Sequence, residues 1–209
     1  MLLIVSDRVG VKRIASTWAG ECPQAKFSER KLEEFVQIHD RIKHEIKVDL
    51  ERQGFKCDEE YPVEHEMLDG NRRILGKVDL YCVKGGFNVV IEVKSSIIGN
   101  GKTRDMMQLY LYHYLMAHRG TNINAALLVY KNYVNTNSRV IVPLGEGVNV
   151  SLPSKYVYVK LRIDTAAKQV LRLEELVREL VVSGYVIGMD CEYCINNACP
   201  LIRIQRPGK

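Results

Sequence analysis

The chain has 209 residues, of which 26% are charged and 46% are hydrophobic, and its formal net charge is +5 at pH 7. These proportions are ordinary for a globular protein, so the composition excludes collagen-like, low-complexity and wholly disordered chains. The length favours one domain with its own core and predicts a single domain over residues 1–209. The modest positive charge is compatible with a polyanionic partner.

The sequence predicts a cytoplasmic protein that does not contact a membrane. No segment approaches the run of about 18 apolar residues that a transmembrane helix needs. The apolar run from Leu2 to Val5 is short and lacks the preceding basic region of a secretory signal peptide. In a reducing compartment, we expect the six cysteines to be thiols or metal ligands rather than a disulfide framework.

Hydrophobic periodicity predicts three helices with strands between them. Apolar residues three and four positions apart predict the helices, and β-branched or alternating runs predict the strands. The predicted helices cover residues 29–53, 102–118 and 164–182, and the predicted strands cover residues 61–64, 73–83, 87–94, 125–130, 140–144 and 156–163. The turn Lys84-Gly85-Gly86 predicts that the second and third strands form an antiparallel hairpin. The order favours an α/β domain with a mixed sheet flanked by helices.

The predicted hairpin brings two acidic residues and a lysine together. Side chains alternate along a strand, so Glu92 and Lys94 face the same way, and Asp79 on the partner strand is expected beside Glu92. Carboxylate oxygens are ligands for Mg²⁺ or Mn²⁺, and a nearby ammonium can stabilise charge that develops at a phosphorus centre. An exposed strand with an ordinary ion pair is the alternative, because Glu-x-Lys is common on such strands.

Three short motifs lie in order along the chain, namely Gly76-x-x-Asp79, Ile91-Glu92-Val93-Lys94 and Gln108-x-x-x-Tyr112. Together they resemble the PD-(D/E)XK nuclease core of the RecB type. The resemblance implies a restriction-endonuclease-like fold and a metal-dependent DNA exonuclease. The implied catalytic residues are Asp79, Glu92, Lys94, Gln108 and Tyr112.

The same resemblance implies a Mg²⁺ or Mn²⁺ site formed by Asp79, Glu92, the Val93 carbonyl and a histidine on the preceding helix. His39 and His44 are the two candidates. His44 lies closer to the family pattern and is the predicted ligand. His39 lies five residues earlier and would face another direction on the helix.

A cluster of three cysteines, Cys191-x2-Cys194-x4-Cys199, lies near the end of the chain. Such tight spacing predicts a soft-metal site, because three sulfurs can converge on one centre. The candidates for the fourth ligand are Cys22, Cys57 and Cys82, and the spacing alone fits zinc as well as an iron–sulfur cluster.

One cysteine before the core and three after it resemble the iron–sulfur subgroup of RecB-like nucleases, which includes the CRISPR-associated exonuclease. That resemblance implies that Cys22 joins Cys191, Cys194 and Cys199 around a 4Fe–4S cluster, with 2Fe–2S as the second choice. Cys22 and residues 189–201 would then form the cluster-binding subregion. Cys57 and Cys82 are expected to be buried free thiols.

The resemblance implies single-stranded DNA or DNA ends as the substrate and the CRISPR integrase as a partner in spacer acquisition and antiviral defence. Basic residues such as Lys12, Arg73 and Arg104 are expected to track phosphates, and the sequence is compatible with an oligomer. Three alternatives stay open: a DNA-repair nuclease outside CRISPR, a zinc-stapled nucleic-acid-binding protein without catalysis, and a scaffold subunit.

Overall fold

The computed structural model describes residues 8–19, 29–66, 73–97, 102–132 and 136–161. The helices in these ranges are α1 (Val11–Trp18), α2 (Glu29–Arg52) and α3 (Lys102–His118). The strands are β1 (Arg8–Gly10), β2 (Lys56–Glu66), β3 (Arg73–Lys84), β4 (Phe87–Ile97), β5 (Ala125–Lys131), β6 (Arg139–Gly145), β7 (Val148–Pro153) and β8 (Tyr156–Lys160). None of the described helices is both long and apolar enough to span a membrane.

Six strands form a mixed central sheet in the order β1-β3-β4-β5-β8, with β2 paired to β3, while β6 and β7 form a separate hairpin. The β3–β4 pair is antiparallel and the β4–β5 pair is parallel. One core cluster joins the sheet to α1 and α3, and another joins it to α2 and the β6–β7 hairpin. The protein is thus an α/β domain with a mixed central sheet flanked by helices, as the sequence predicts.

Most of the predicted elements in the described ranges are present. The prediction for α3 matches its observed bounds, and the predicted hairpin forms from β3 and β4. The strand predicted at residues 61–64 is part of the longer strand β2. Most residues of β2 are exposed and many are charged, so the sequence lacks the alternation of apolar and polar residues that would predict its full length. The strands β1 and β7 and helix α1 were not predicted, and the predicted helix over residues 164–182 lies outside the described residues.

Cys57 and Cys82 form a disulfide, so the expectation of two free thiols is wrong. The antiparallel register of β2 and β3 puts Cys57 directly opposite Cys82, with their Cα atoms 4.1 Å apart. Both residues are buried, as expected. The two cysteines are 25 positions apart in sequence, and nothing in the sequence indicates their pairing, which depends on the strand register.

The strands β3 and β4 diverge where the two acidic residues lie. The β3–β4 ladder ends at the pair Leu80–Ile91, so Asp79 and Glu92 are the first residues beyond it. Since β2 covers one edge of β3, β1 and β4 share the other edge, with β1 pairing residues 73–75. In the described part of the sheet, residues 76–79 therefore face a gap between β1 and β4, which we call the fork.

Gly76 allows α1 and α3 to pack closely against the fork. A Cβ atom at Gly76 would lie 2.6 Å from Cε1 of Tyr112 and 2.8 Å from Cγ2 of Val11, closer than real contacts of this kind. A Cβ atom at Gly10, at the end of β1, would meet nothing within 4 Å. Packing therefore requires a glycine at position 76 but not at position 10.

We expect Gly76→Ala to destabilise the protein by about 1–3 kcal/mol, because an added methyl group must push Tyr112 or Val11 aside. The matched control Gly10→Ala should change the free energy of unfolding by less than about 0.5 kcal/mol. Urea denaturation of both variants measures the difference. Equal effects of the two substitutions would show that Tyr112 is not packed as described.

Candidate active site

The fork holds the two acidic residues and the lysine that the sequence singled out. Lys94 Nζ donates to Glu92 Oε1 at 2.8 Å, as expected from two residues on the same face of β4. Asp79 Oδ2 accepts a hydrogen bond from the backbone N–H of Val93 at 2.7 Å. Asp79 and Glu92 are only 4% and 1% exposed, which excludes the alternative of an ordinary ion pair on an exposed strand.

Gln108 links these residues to helix α3. Its Nε2 donates to Glu92 Oε1 at 2.6 Å and to the Tyr112 hydroxyl at 3.0 Å, and its Oε1 accepts from Lys94 Nζ at 2.7 Å. Gln108 and Tyr112 are four residues apart and share one helix face. The two motifs thus meet in one buried hydrogen-bonded network.

The histidine at the fork is His39, not His44. His39 Nε2 lies 3.0 Å from Asp79 Oδ2, whereas the side chain of His44 is exposed. Five residues along an α-helix rotate a side chain by about 140° relative to its starting direction, so only one of the two can face the sheet. This corrects the choice of His44 as the candidate metal ligand.

The two carboxyl groups have opposite pKa shifts. Burial raises the pKa of Glu92 to about 7, against the lowering effect of Lys94. Burial also acts to raise the pKa of Asp79, but hydrogen bonds from His39 and from the Val93 N–H outweigh it and the pKa is lowered. Asp79 is therefore a carboxylate at neutral pH, while Glu92 is poised between its two protonation states.

Lys94 is held as an ammonium ion in the same network. Burial acts to lower the pKa of Lys94, but Glu92 and Asp105 outweigh it and raise the pKa. Hydrogen bonding to Asp79, working against burial, likewise raises the pKa of His39. Two cationic or potentially cationic groups thus flank the two acids.

One oxygen in this network fits a bound cation. Glu92 Oε2 is buried and has no hydrogen-bond partner among the described residues, although a buried polar atom normally has one. Asp79 and His39 lie at the same fork. The Val93 N–H points to Asp79, and the carbonyl of a strand residue points to the same edge as its N–H. A set of oxygen donors with one imidazole suits Mg²⁺ or Mn²⁺. In the described ranges no three His, Cys, Asp or Glu side chains are arranged as a metal-binding group.

The fork opens into a cleft of about 300 Å³ that reaches the surface. The residues that line it include His39, Asp79 and Tyr112 from the site and the cationic Lys12 and Lys77. A second cleft of about 490 Å³ shares residues 75–77 with the first and includes Arg119. The part of the candidate site formed by His39, Asp79 and Tyr112 is thus open to a cleft that also carries cationic side chains.

Sequence reasoning missed Asp105 and Tyr130. Asp105 is 1% exposed, and its Oδ1 lies 3.6 Å from Lys94 Nζ. The Tyr130 hydroxyl donates to Asp105 Oδ2 at 3.0 Å. Helical periodicity could have identified Asp105, because it lies three residues before Gln108 on the same face of α3.

Comparison with known proteins identifies a similar fold but no family. No family model matches the chain, and no curated protein matches it. Nine chains of solved structures do match. One of them, described as "Crystal structure of SSO0001", is 15% identical, has a TM-score of 0.52, and is aligned over 95% of this chain and 89% of its own. The likeness is one of fold.

Proposed function

We propose that the protein is a metal-dependent nuclease with a PD-(D/E)XK core that degrades single-stranded DNA from its ends. One observation carries the proposal: two buried carboxyl groups, a partly buried ammonium and a histidine meet at the fork, and Glu92 Oε2 lacks a partner among the described residues. Structural ion-pair networks normally satisfy every buried oxygen. A site that binds a cation leaves one oxygen for it.

The cation would be Mg²⁺ or Mn²⁺, held by Asp79, Glu92, the Val93 carbonyl and His39. When bound, it would polarise the scissile phosphate and lower the pKa of an attacking water. The opposite pKa shifts of the two acids fit this assignment, because Asp79 is already ionised at neutral pH and Glu92 can become so when a cation approaches.

The remaining residues would orient the substrate and stabilise charge. The ammonium of Lys94 would stabilise the negative charge that builds up on the phosphoryl oxygens in the transition state. Gln108 fixes the positions of Lys94 and Glu92 by bonding to both. Burial and the charge of Glu92 raise the pKa of Tyr112 far above neutrality, so its hydroxyl stays protonated beside the cleft.

The clefts support a single strand as the substrate. Lys12 and Lys77 lie at the first cleft and Arg119 at the second, and the clefts share residues 75–77. Cationic side chains along a cleft are suited to the phosphates of a single strand. Contacts with phosphate carry no sequence information, so we expect little sequence specificity.

The test is degradation of single-stranded DNA labelled at the 5′ or the 3′ end, with Mn²⁺, with Mg²⁺ and with EDTA. We expect stepwise shortening of the strand with either metal and none with EDTA, and the two labels reveal the polarity. A folded preparation that cleaves no DNA with either metal would refute the nuclease proposal.

The two histidines of α2 provide a matched comparison. We expect His39→Asn to lower the cleavage rate at least about tenfold, because the imidazole that contacts Asp79 is lost. His44→Asn, an exposed change on the same helix, should stay within twofold of the wild type. Initial rates at saturating Mn²⁺ measure both. A large loss of rate in His44→Asn and none in His39→Asn would instead identify His44 as the metal ligand.

We also propose that Cys22, Cys191, Cys194 and Cys199 hold an iron–sulfur cluster. These four residues lie outside the described residues, and the support comes from their sequence pattern and from the disulfide. Because Cys57 and Cys82 are bonded to each other, Cys22 is the one cysteine left to complete a four-sulfur set.

We also propose, from the resemblance of the sequence motifs to RecB-like nucleases, that the protein processes DNA ends for CRISPR spacer acquisition. Copurification with the integrase would test this proposal.

A protein purified without oxygen should be brown and absorb visible light in proportion to its iron content. Cys191→Ser should lose both the colour and the iron, because three thiolates cannot close the site. Cys57→Ser serves as the control and should keep both. A colourless wild-type protein that contains zinc would support the zinc-stapled alternative.

A further inference from the structure

Lys94 lies between two buried carboxyl groups from different elements. Its Nζ is 2.8 Å from Glu92 Oε1 on its own strand and 3.6 Å from Asp105 Oδ1 on α3. Glu92 and Asp105 are each only 1% exposed. The lysine is therefore attached both to the sheet and to the helix that covers it.

Asp105 is itself held firmly. Its Oδ2 accepts a hydrogen bond from the Tyr130 hydroxyl at 3.0 Å, and its Oδ1 accepts one from Arg104 Nε at 3.1 Å. Tyr130 is the register partner of Lys94 on the neighbouring parallel strand β5. The hydroxyl of Tyr130 thus reaches from the strand beside Lys94 to the carboxyl group that faces it.

We propose that Asp105, fixed by Tyr130, is a positioning residue that anchors Lys94 at the candidate active site. Its catalytic consequence rests on the proposed nuclease function. The described polar contacts of Asp105 are with Arg104, Tyr130 and Lys94. It acts on the reaction only through the lysine.

The need for a second anchor follows from the double use of Glu92. The same carboxyl group bonds to Lys94 and offers Oε2 to the proposed cation. Gln108 Oε1 also accepts from Lys94 Nζ at 2.7 Å, but this amide is neutral. Without Asp105, the lysine would therefore lose part of its electrostatic attraction whenever the Glu92 carboxylate engaged a cation. Asp105 on α3 supplies a second negative charge 3.6 Å from Nζ, so the ammonium would keep its place in both situations.

The anchor can be tested without any activity, in metal-free protein. We expect Asp105→Asn to lower the melting temperature by about 3–8 °C, an estimate based on the loss of a buried charged contact. In a Lys94→Met background, the same substitution should lower it by less than half as much, because the ammonium that Asp105 faces is already absent. Equal losses in the two backgrounds would show that the residues are not coupled and would overturn the proposal.

Kinetics separate positioning from simple support of the fold. We expect Asp105→Asn to lower kcat for DNA cleavage by about 10- to 100-fold with KM unchanged within twofold, because a displaced catalytic group slows chemistry more than binding. Tyr130→Phe, which removes one hydroxyl, should lower kcat in the same direction by a smaller factor. The control is Tyr156→Phe, whose hydroxyl bonds to Glu45 Oε2 at 2.6 Å and which should keep the wild-type kcat.

The two proposals fail in different ways. Wild-type protein that cleaves no DNA refutes the nuclease, and the melting cycle then decides the anchor alone. Active wild-type protein whose kcat is unchanged by both Asp105→Asn and Tyr130→Phe refutes the anchor and leaves the nuclease standing. If Asp105→Asn does not fold, Tyr130→Phe supplies the kinetic result.

Discussion

Replacing Lys94 with methionine should slow metal-dependent cleavage of single-stranded DNA by about 100- to 1,000-fold. Methionine retains most of the side-chain length and removes the charge, and the loss of one group that stabilises transition-state charge has an effect of this size. The measurement is the initial rate on an end-labelled strand with Mn²⁺ at pH 7.5. Binding of the strand should weaken far less than the rate.

Lys47 supplies the matched control for this substitution. Its Nζ pairs with Glu59 Oε1 at 2.9 Å, so Lys47→Met also breaks a lysine–glutamate pair, but away from the fork. We expect it to stay within twofold of the wild-type rate. A Lys94→Met protein that melts normally and cuts as fast as Lys47→Met would remove Lys94 from the catalytic machinery.

Asp79→Asn should have the largest effect and abolish detectable cleavage, a loss of at least about 1,000-fold. The asparagine amide fills the same volume but lacks the negative charge that a divalent cation requires. It also changes the group that meets both His39 and the Val93 N–H. The DNA assay should be accompanied by a Mn²⁺ titration, in which we expect binding to weaken strongly.

The control for Asp79 is Asp58, which lies on β2 with its side chain exposed. Asp58→Asn removes one negative charge from the same sheet and should leave cleavage and Mn²⁺ binding unchanged. Asp79→Asn protein that remains folded and still cleaves DNA at the wild-type rate would show that the metal site lies elsewhere.

The sequence predicted that Asp79, Glu92 and Lys94 come together, because the determinants of that arrangement are local. A glycine turn joins β3 to β4, side chains alternate along β4, and Gln108 and Tyr112 are one helical turn apart. Each of these relations spans a few residues and depends on backbone geometry alone. The placement of Asp79 beside Glu92 follows from the turn and the register of the hairpin.

The features that sequence reasoning misplaced depend on how distant elements pack. The choice between His39 and His44 requires the rotation of α2 about its axis relative to the sheet, and both residues fit the helical pattern. Asp105 is an ordinary acidic residue in the first turn of α3 until α3 packs over Lys94. The Cys57–Cys82 bond depends on the register of β2, whose charged face obscured the strand.

The Cys57–Cys82 bond also determines how metal content should be measured. A strong reducing agent, added to protect a cluster during purification, would open this bond and release two neighbouring thiols inside the sheet. Thiolates bind iron and zinc, so ions captured there would inflate the stoichiometry assigned to the other four cysteines. Mass spectrometry after alkylation, without prior reduction, shows whether the disulfide was intact in a given sample. Metal content should be measured only in samples in which Cys57 and Cys82 remain unlabelled.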